Sequence, residues 1–200
     1  MKTNANWPLL LASASPRRRE LFHHLGYPFR TTHADVDETP LEGESAEDTV
    51  RRLALAKARV AHSAHPEAVV VGADTVVEVD GRILGKPQDK ADARRMLEQI
   101  AGRDHCVWTG VAVVAPGGLQ LVESPSTRVR FRAVSADEID AYIASGEPMD
   151  KAGAYGIQER GAVFVESVKG DYFTVVGLPL CLLSRLLAGI LGPPPTPAST

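Results

Sequence analysis

Seven consecutive residues, Ser13-Ala14-Ser15-Pro16-Arg17-Arg18-Arg19, put three guanidinium groups into the first turn of a predicted helix. Ser15 suits an N-cap and Pro16 the first helical position. Exposed cations at a helix N-terminus cost about 0.3–1 kcal/mol each. Free N–H groups with neighbouring hydroxyls suit a phosphate, and an anion there would satisfy the backbone and the arginines together. The alternative is three solvated arginines with unrelated partners. A second candidate is Asp74, which follows three valines and Gly72-Ala73 at the C-terminal end of a predicted central strand. Ligands of open α/β sheets sit at that edge. A carboxylate there can hold a divalent cation or deprotonate a water, or it can simply cap a turn with Thr75.

Lys57 stands out by its neighbours. Val50, Leu53, Lys57 and Val60 recur at helical spacing, so the lysine lies on an apolar stripe. It must snorkel to the stripe's edge or find an anion. The pair Asp37-Glu38 offers hard oxygen ligands for Mg²⁺, or is a solvated acidic loop. Lys86 sits in Gly85-Lys86-Pro87, an ordinary turn sequence taken alone. The run Asp150 to Gln158 is rich in small residues that let backbone approach a ligand, and Gln158 offers the donor and acceptor that reading a base edge needs. Alternatively it is a flexible connection. The chain has neither a Walker A motif nor G-x-G-x-x-G, no His spacing for a metal, and no Ser-His-Asp set.

Alternating elements must position these groups. The pattern predicts strands over 8–12, 29–32 and 69–75, a hairpin over 76–84 turning at Asp80-Gly81, and long strands over 106–115 and 119–131. A further strand is expected over 162–168. Helices are expected over 16–25, 45–63, 91–100, 135–145 and 174–190, capped at Ser45 and Ser135 where named. The result is an α/β chain with a mixed sheet. At 200 residues and 44% apolar it suits one domain, taken as 8–191, with a disordered tail over 192–200. A net charge of −3 with scattered arginines argues against nucleic acid but permits a small anion. Cys106 and Cys181 stand in no motif, as in a reducing compartment. The N-terminal apolar run is too short for a signal peptide core, and no run reaches a membrane span. The expected location is the cytoplasm.

Taken together, the segments resemble the Maf family from Leu10 to about Leu180. The matching pieces are Leu11 to Arg18, Val36-Asp37-Glu38, Leu53 to Ala58, Gly72-Ala73-Asp74-Thr75, Gly85-Lys86-Pro87, Asp150 to Gln158 and Val176-Gly177-Leu178-Pro179. Their order and spacing are far more specific than any one piece. The resemblance implies an elongated mixed α/β sheet flanked by helices, with two lobes around a cleft. It implies hydrolysis of a nucleoside triphosphate to monophosphate and pyrophosphate, a divalent cation such as Mg²⁺ or Mn²⁺, and a homodimer. By the same resemblance Asp74 is the proton acceptor, and Ser15, Arg18, Glu38, Lys57 and Lys86 line the active site, with Glu38 toward the metal. Arg17, Thr75 and Gln158 match the branch that cleaves dTTP and UTP. The branch linked to 7-methyl-GTP typically carries Trp before the second arginine and Gln after the aspartate, and neither occurs here. Glu159 stands where a glycine commonly follows the glutamine. Competing readings are the same chemistry on another nucleotide, a non-catalytic nucleotide-binding regulator of cell division, and an interaction protein that uses the arginines to dock.

Overall fold

Valine-rich runs build the sheet, and Ser or Asp side chains cap every α-helix except the last, which follows Pro179, in the computed structural model, which describes residues 7–39 and 41–195. The strands are β1 (Leu9–Ala12), β2 (Arg30–Thr32), β3 (Val69–Val79), β4 (Arg82–Leu84), β5 (Asp104–Ala115), β6 (Leu119–Glu123), β7 (Ser126–Phe131) and β8 (Val165–Lys169). The helices are α1 (Pro16–His23), α2 (Ala46–Ala64), α3 (Lys90–Ile100), α4 (Ala136–Ala144), α5 (Tyr172–Val176) and α6 (Leu180–Leu191). The sheet runs β2-β1-β3-β5-β7-β8, with β4 added to β3 and β6 to β5. Among the described residues only the β1 pairings are parallel, so the sheet is mixed as expected.

Side-chain alternation along β3 and β5 divides the core. Val69, Val71 and Ala73 pack with Val111, Val113, α1 and α6. Val77, Val79 and Val107 pack with α3 and α4 farther along the same face. These two clusters form the two lobes, joined by the long strands. The opposite face takes α2, whose Ala54, Ala58 and Ala61 meet Val70, Ala112 and Val114. That approach is close because two glycines permit it. A Cβ on Gly72 would stand 2.3 Å from the Ala54 carbonyl oxygen, and one on Gly110 2.1 Å from that of Val50.

Several expectations change. Asp74 does not end a strand, since β3 runs unbroken for 11 residues. Gly72 serves helix packing rather than a turn, and β5 pairs with β3 from Val70 through Glu78. The expected strand over 119–131 breaks at Ser124-Pro125, because proline supplies no N–H for the ladder. β6 and β7 therefore pair with successive stretches of β5. The last helix divides at Gly177, in the left-handed region at φ 114, followed by Pro179. Over 162–168 a 3-10 turn (Arg160–Phe164) precedes β8, and the Gly-rich loop holds two more, at Glu147–Asp150 and Ala152–Ala154. The Asp80-Gly81 turn forms with positive φ at both residues, 50° and 73°, as a type I′ hairpin requires. Of the expected tail, Gly192 accepts a hydrogen bond from the Tyr27 hydroxyl at 2.6 Å, and residues 196–200 lie outside the described residues.

Candidate functional site

The topology leaves a gap beside the middle of β3. Its first residues, to Gly72, pair with β1, and Val77 to Val79 pair with β4. Over 73–76 that side of the strand has no strand partner among the described residues. Asp74 and Thr75 point to opposite faces by alternation, yet both reach the cavity that opens at this edge. The cavity measures about 640 Å³, within the usual range for small-molecule sites. Ser15, Arg17, Arg18, Glu38, Lys57, Asp74, Thr75, Lys86 and Gln158 all line it. Asp37 does not. It is exposed and its Oδ1 accepts from the Thr39 backbone N–H at 2.9 Å, so it shapes the loop.

Lys57 finds its anions. Its Nζ stands 2.6 Å from Asp74 Oδ1 and 2.6 Å from Glu38 Oε1. Lysine and aspartate are both buried, at 8% and 7% exposed. The lysine is thus an ion-paired member of the stripe, not a snorkelling one. The stripe itself is shifted, for Val60 is exposed at 45% and Ala61 is buried in its place. Among the described residues only Oδ1 of Asp74 accepts a protein donor, so its second oxygen remains for a water. The Glu38 carboxyl lies below its ordinary range. Burial acts against this most strongly, but Lys57's hydrogen bond and charge, with Lys86 and Arg18, outweigh it.

The helix N-terminus is built as the sequence suggests, and its arginines divide. Ser15 caps α1 by accepting from the Arg18 N–H at 3.4 Å. Arg18 turns inward, its Nε donating to the Gly177 carbonyl at 2.8 Å and its Nη2 to Thr75 Oγ1 at 2.9 Å. Arg17 reaches across the cavity mouth to Asp150 Oδ2 at 3.0 Å and to Glu159 Oε1 at 3.8 Å. Arg19 is exposed and does not line this cavity. Glu159 also meets Lys151 at 3.4 Å, and Lys151 meets Asp150 Oδ1 at 2.8 Å. The departure at Glu159 therefore adds a second carboxylate to Arg17 and lengthens a charged clasp between α1 and the 147–159 segment.

Sequence reasoning singled out the 150–158 run but not this clasp, nor Thr109, whose buried hydroxyl backs Thr75. It also missed Glu147, whose carboxylate accepts from Tyr142 and from the Arg160 and Gly161 N–H groups, fixing the loop after Gln158. A Glu followed by Pro148 carries no spacing signal for that role. Among the described residues no group of three or more His, Cys, Asp or Glu could hold a metal alone. The arrangement can surround a polyanion with guanidinium and ammonium groups while presenting a buried carboxylate to a water.

Comparison with known proteins agrees in extent with this architecture. The family model described as "Maf-like protein" matches residues 8–190. A dTTP/UTP pyrophosphatase of Moorella thermoacetica is 53% identical over 181 residues, covering 90% of this chain and 93% of that protein. One of Symbiobacterium thermophilum is 52% identical over 172 residues, covering 86% and 88%. Among solved structures, the Staphylococcus aureus Ham1 protein shares the fold with a TM-score of 0.54 at 16% identity, over 91% of this chain and 98% of that one.

Proposed function

The chain belongs to the Maf family, and from that membership we propose that it is a nucleoside triphosphate pyrophosphatase that hydrolyses dTTP and UTP to the monophosphates and pyrophosphate. The observation that carries this reading is the Glu38–Lys57–Asp74 triad, buried on the Asp74 side, in a cavity shared with Arg18 and Lys86. The extensive similarity to two proteins named for that activity supports the substrate choice.

In this reading Arg18, Lys57 and Lys86 surround the triphosphate, with Ser15 at the helix N-terminus and Arg17 at the mouth. Asp74 orients a water with its unpaired oxygen and takes its proton. The water oxygen bonds to the α-phosphorus as the bond from that phosphorus to the oxygen bridging the α- and β-phosphates breaks, and pyrophosphate leaves with the bridging oxygen. Such displacement depends chiefly on positioning and charge stabilisation. Lys57 keeps the Asp74 carboxylate in place. Gln158 is exposed on the cavity rim, where it can pair with a uracil or thymine edge.

The two carboxylates fit a hard divalent ion such as Mg²⁺ or Mn²⁺, which commonly takes one or two protein carboxylates and completes its shell with substrate phosphates and waters. Glu38, half exposed at the wall, would hold it, and the ion would supply charge neutralisation on the phosphates. We place the enzyme in the cytoplasm as a homodimer acting on free nucleotides. Its two free cysteines fit a reducing compartment, and no helix among the described residues is long and apolar enough to cross a membrane.

The test is pyrophosphate release from a panel of nucleoside triphosphates with Mg²⁺ or Mn²⁺. We expect turnover of dTTP and UTP above purine nucleotides, and a loss of about 10²–10⁴ in kcat for Asp74→Asn, the usual contribution of a general base. Full activity in that variant would remove Asp74 from the role.

A further inference from the structure

Arg18 is held from behind by a chain of hydrogen bonds. Its Nη2 lies 2.9 Å from Thr75 Oγ1, which lies 2.9 Å from Thr109 Oγ1, which lies 2.7 Å from the Thr174 carbonyl oxygen. Thr109 is fully buried. Distances alone leave the direction of the middle bond open, but proton counting fixes it. A carbonyl oxygen only accepts and a hydroxyl has one proton. Thr109 must therefore spend its proton on Thr174. Thr75 must then donate to Thr109. The guanidinium has donors only, so Arg18 donates to Thr75. The order runs Arg18 to Thr75 to Thr109 to the Thr174 carbonyl, with no hydroxyl proton left over.

We infer that Thr109 is a positioning residue that takes the single proton of the Thr75 hydroxyl, so that toward the cavity Thr75 only accepts and locks the Arg18 guanidinium toward a phosphate rather than donating to the substrate itself. Two of the five guanidinium N–H groups are committed, to Gly177 and Thr75, and three remain for the anion. The socket leaves little freedom, since a Cβ on Gly177 would meet Thr75 Oγ1 at 3.2 Å at a φ of 114°. Whatever Thr75 contributes to substrate preference then passes through the placement of Arg18. The inference rests on the reading of Arg18 as a phosphate ligand.

The experiment reads anion binding without turnover, by calorimetric titration with inorganic tripolyphosphate. Thr109→Val keeps the shape and removes both the acceptor and the donor. We expect it to weaken tripolyphosphate about five- to tenfold, the scale of one hydrogen bond, and Thr109→Ser to restore the affinity. In an Arg18→Ala background Thr109→Val should add no further loss. Should Thr109→Val fail to fold, Thr75→Val, which removes the acceptor directly, takes its place with the same expectations. Undiminished affinity in the valine variant, or an equal loss with and without Arg18, overturns the inference. Absence of tripolyphosphate binding to the wild type overturns both it and the phosphate role of Arg18. Absence of pyrophosphate release from dTTP and UTP, with binding intact, refutes only the proposed activity.

Discussion

Replacing Lys57 with methionine isolates the charge at the centre of the cavity. Methionine is a good helix former of similar length, so chiefly the ammonium is lost. In the wild type both carboxylate oxygens lie 2.6 Å from Nζ, whatever the angle between them. They are therefore no more than about 5 Å apart, and two such charges repel by about 3 kcal/mol at an effective dielectric near 20. Glu38 is 49% exposed in its side chain, and solvent screening lowers this to about 2 kcal/mol. Without Lys57 that repulsion is relieved when the pair takes up one proton, as it does when pH falls through the acidic window between 8 and 4.5. A folded state that binds a proton more tightly than the unfolded chain loses stability as pH rises through that window. The variant's deficit should thus be fullest at pH 8 and narrow by about 1.5 kcal/mol at pH 4.5, or roughly 3–6 °C in Tm for a chain of this size. Thermal unfolding of both proteins by circular dichroism at the two pH values measures it. A deficit as large at pH 4.5 as at pH 8 would refute the charge argument and leave only lost packing.

Gly110→Ala puts a methyl group 2.1 Å from the Val50 carbonyl oxygen. Neither backbone can yield without moving α2 off the sheet, so we expect a cost of about 3 kcal/mol and a Tm lower by roughly 6–12 °C. Activity should fall beyond what stability explains, because α2 carries Lys57; a fully active, equally stable variant would refute the packing account. His105 is buried against Tyr155 with its Nδ1 unpartnered, and burial lowers its pKa to about 4. The unfolded chain takes up that proton near pH 6.5, so stability is lost as pH falls from there toward 4. His105→Phe should flatten the decline between pH 7 and pH 4.5 by about 2 kcal/mol, which urea unfolding at the two pH values detects. An unchanged slope would assign the acid sensitivity to other groups, such as Glu44, whose carboxyl Arg52 holds down at about 2.

Local signals were legible wherever the chain's own chemistry sufficed. The Asp80-Gly81 turn, the serine caps at Ser15, Ser45 and Ser135 and the valine strands form as their residues dictate. A lysine on an apolar stripe left two outcomes open, snorkelling or an anion, and the structure shows the ion pairs. What the sequence could not supply was the partner. Lys57 meets Asp74 because α2 lies on Gly72 and Gly110, and Asp74 is accessible because β1 stops where β4 has not yet begun. Asp37 and Glu38 are chemically alike and adjacent, yet only the second faces the cavity, since the first is spent on its own turn. Arg17 and Arg18 are equally alike, and they part company toward Asp150, 133 residues away, and toward Thr75 and Gly177. Residue type fixes which charges and hydroxyls are available. Strand order and register, which depend on the whole chain, decide which of them meet.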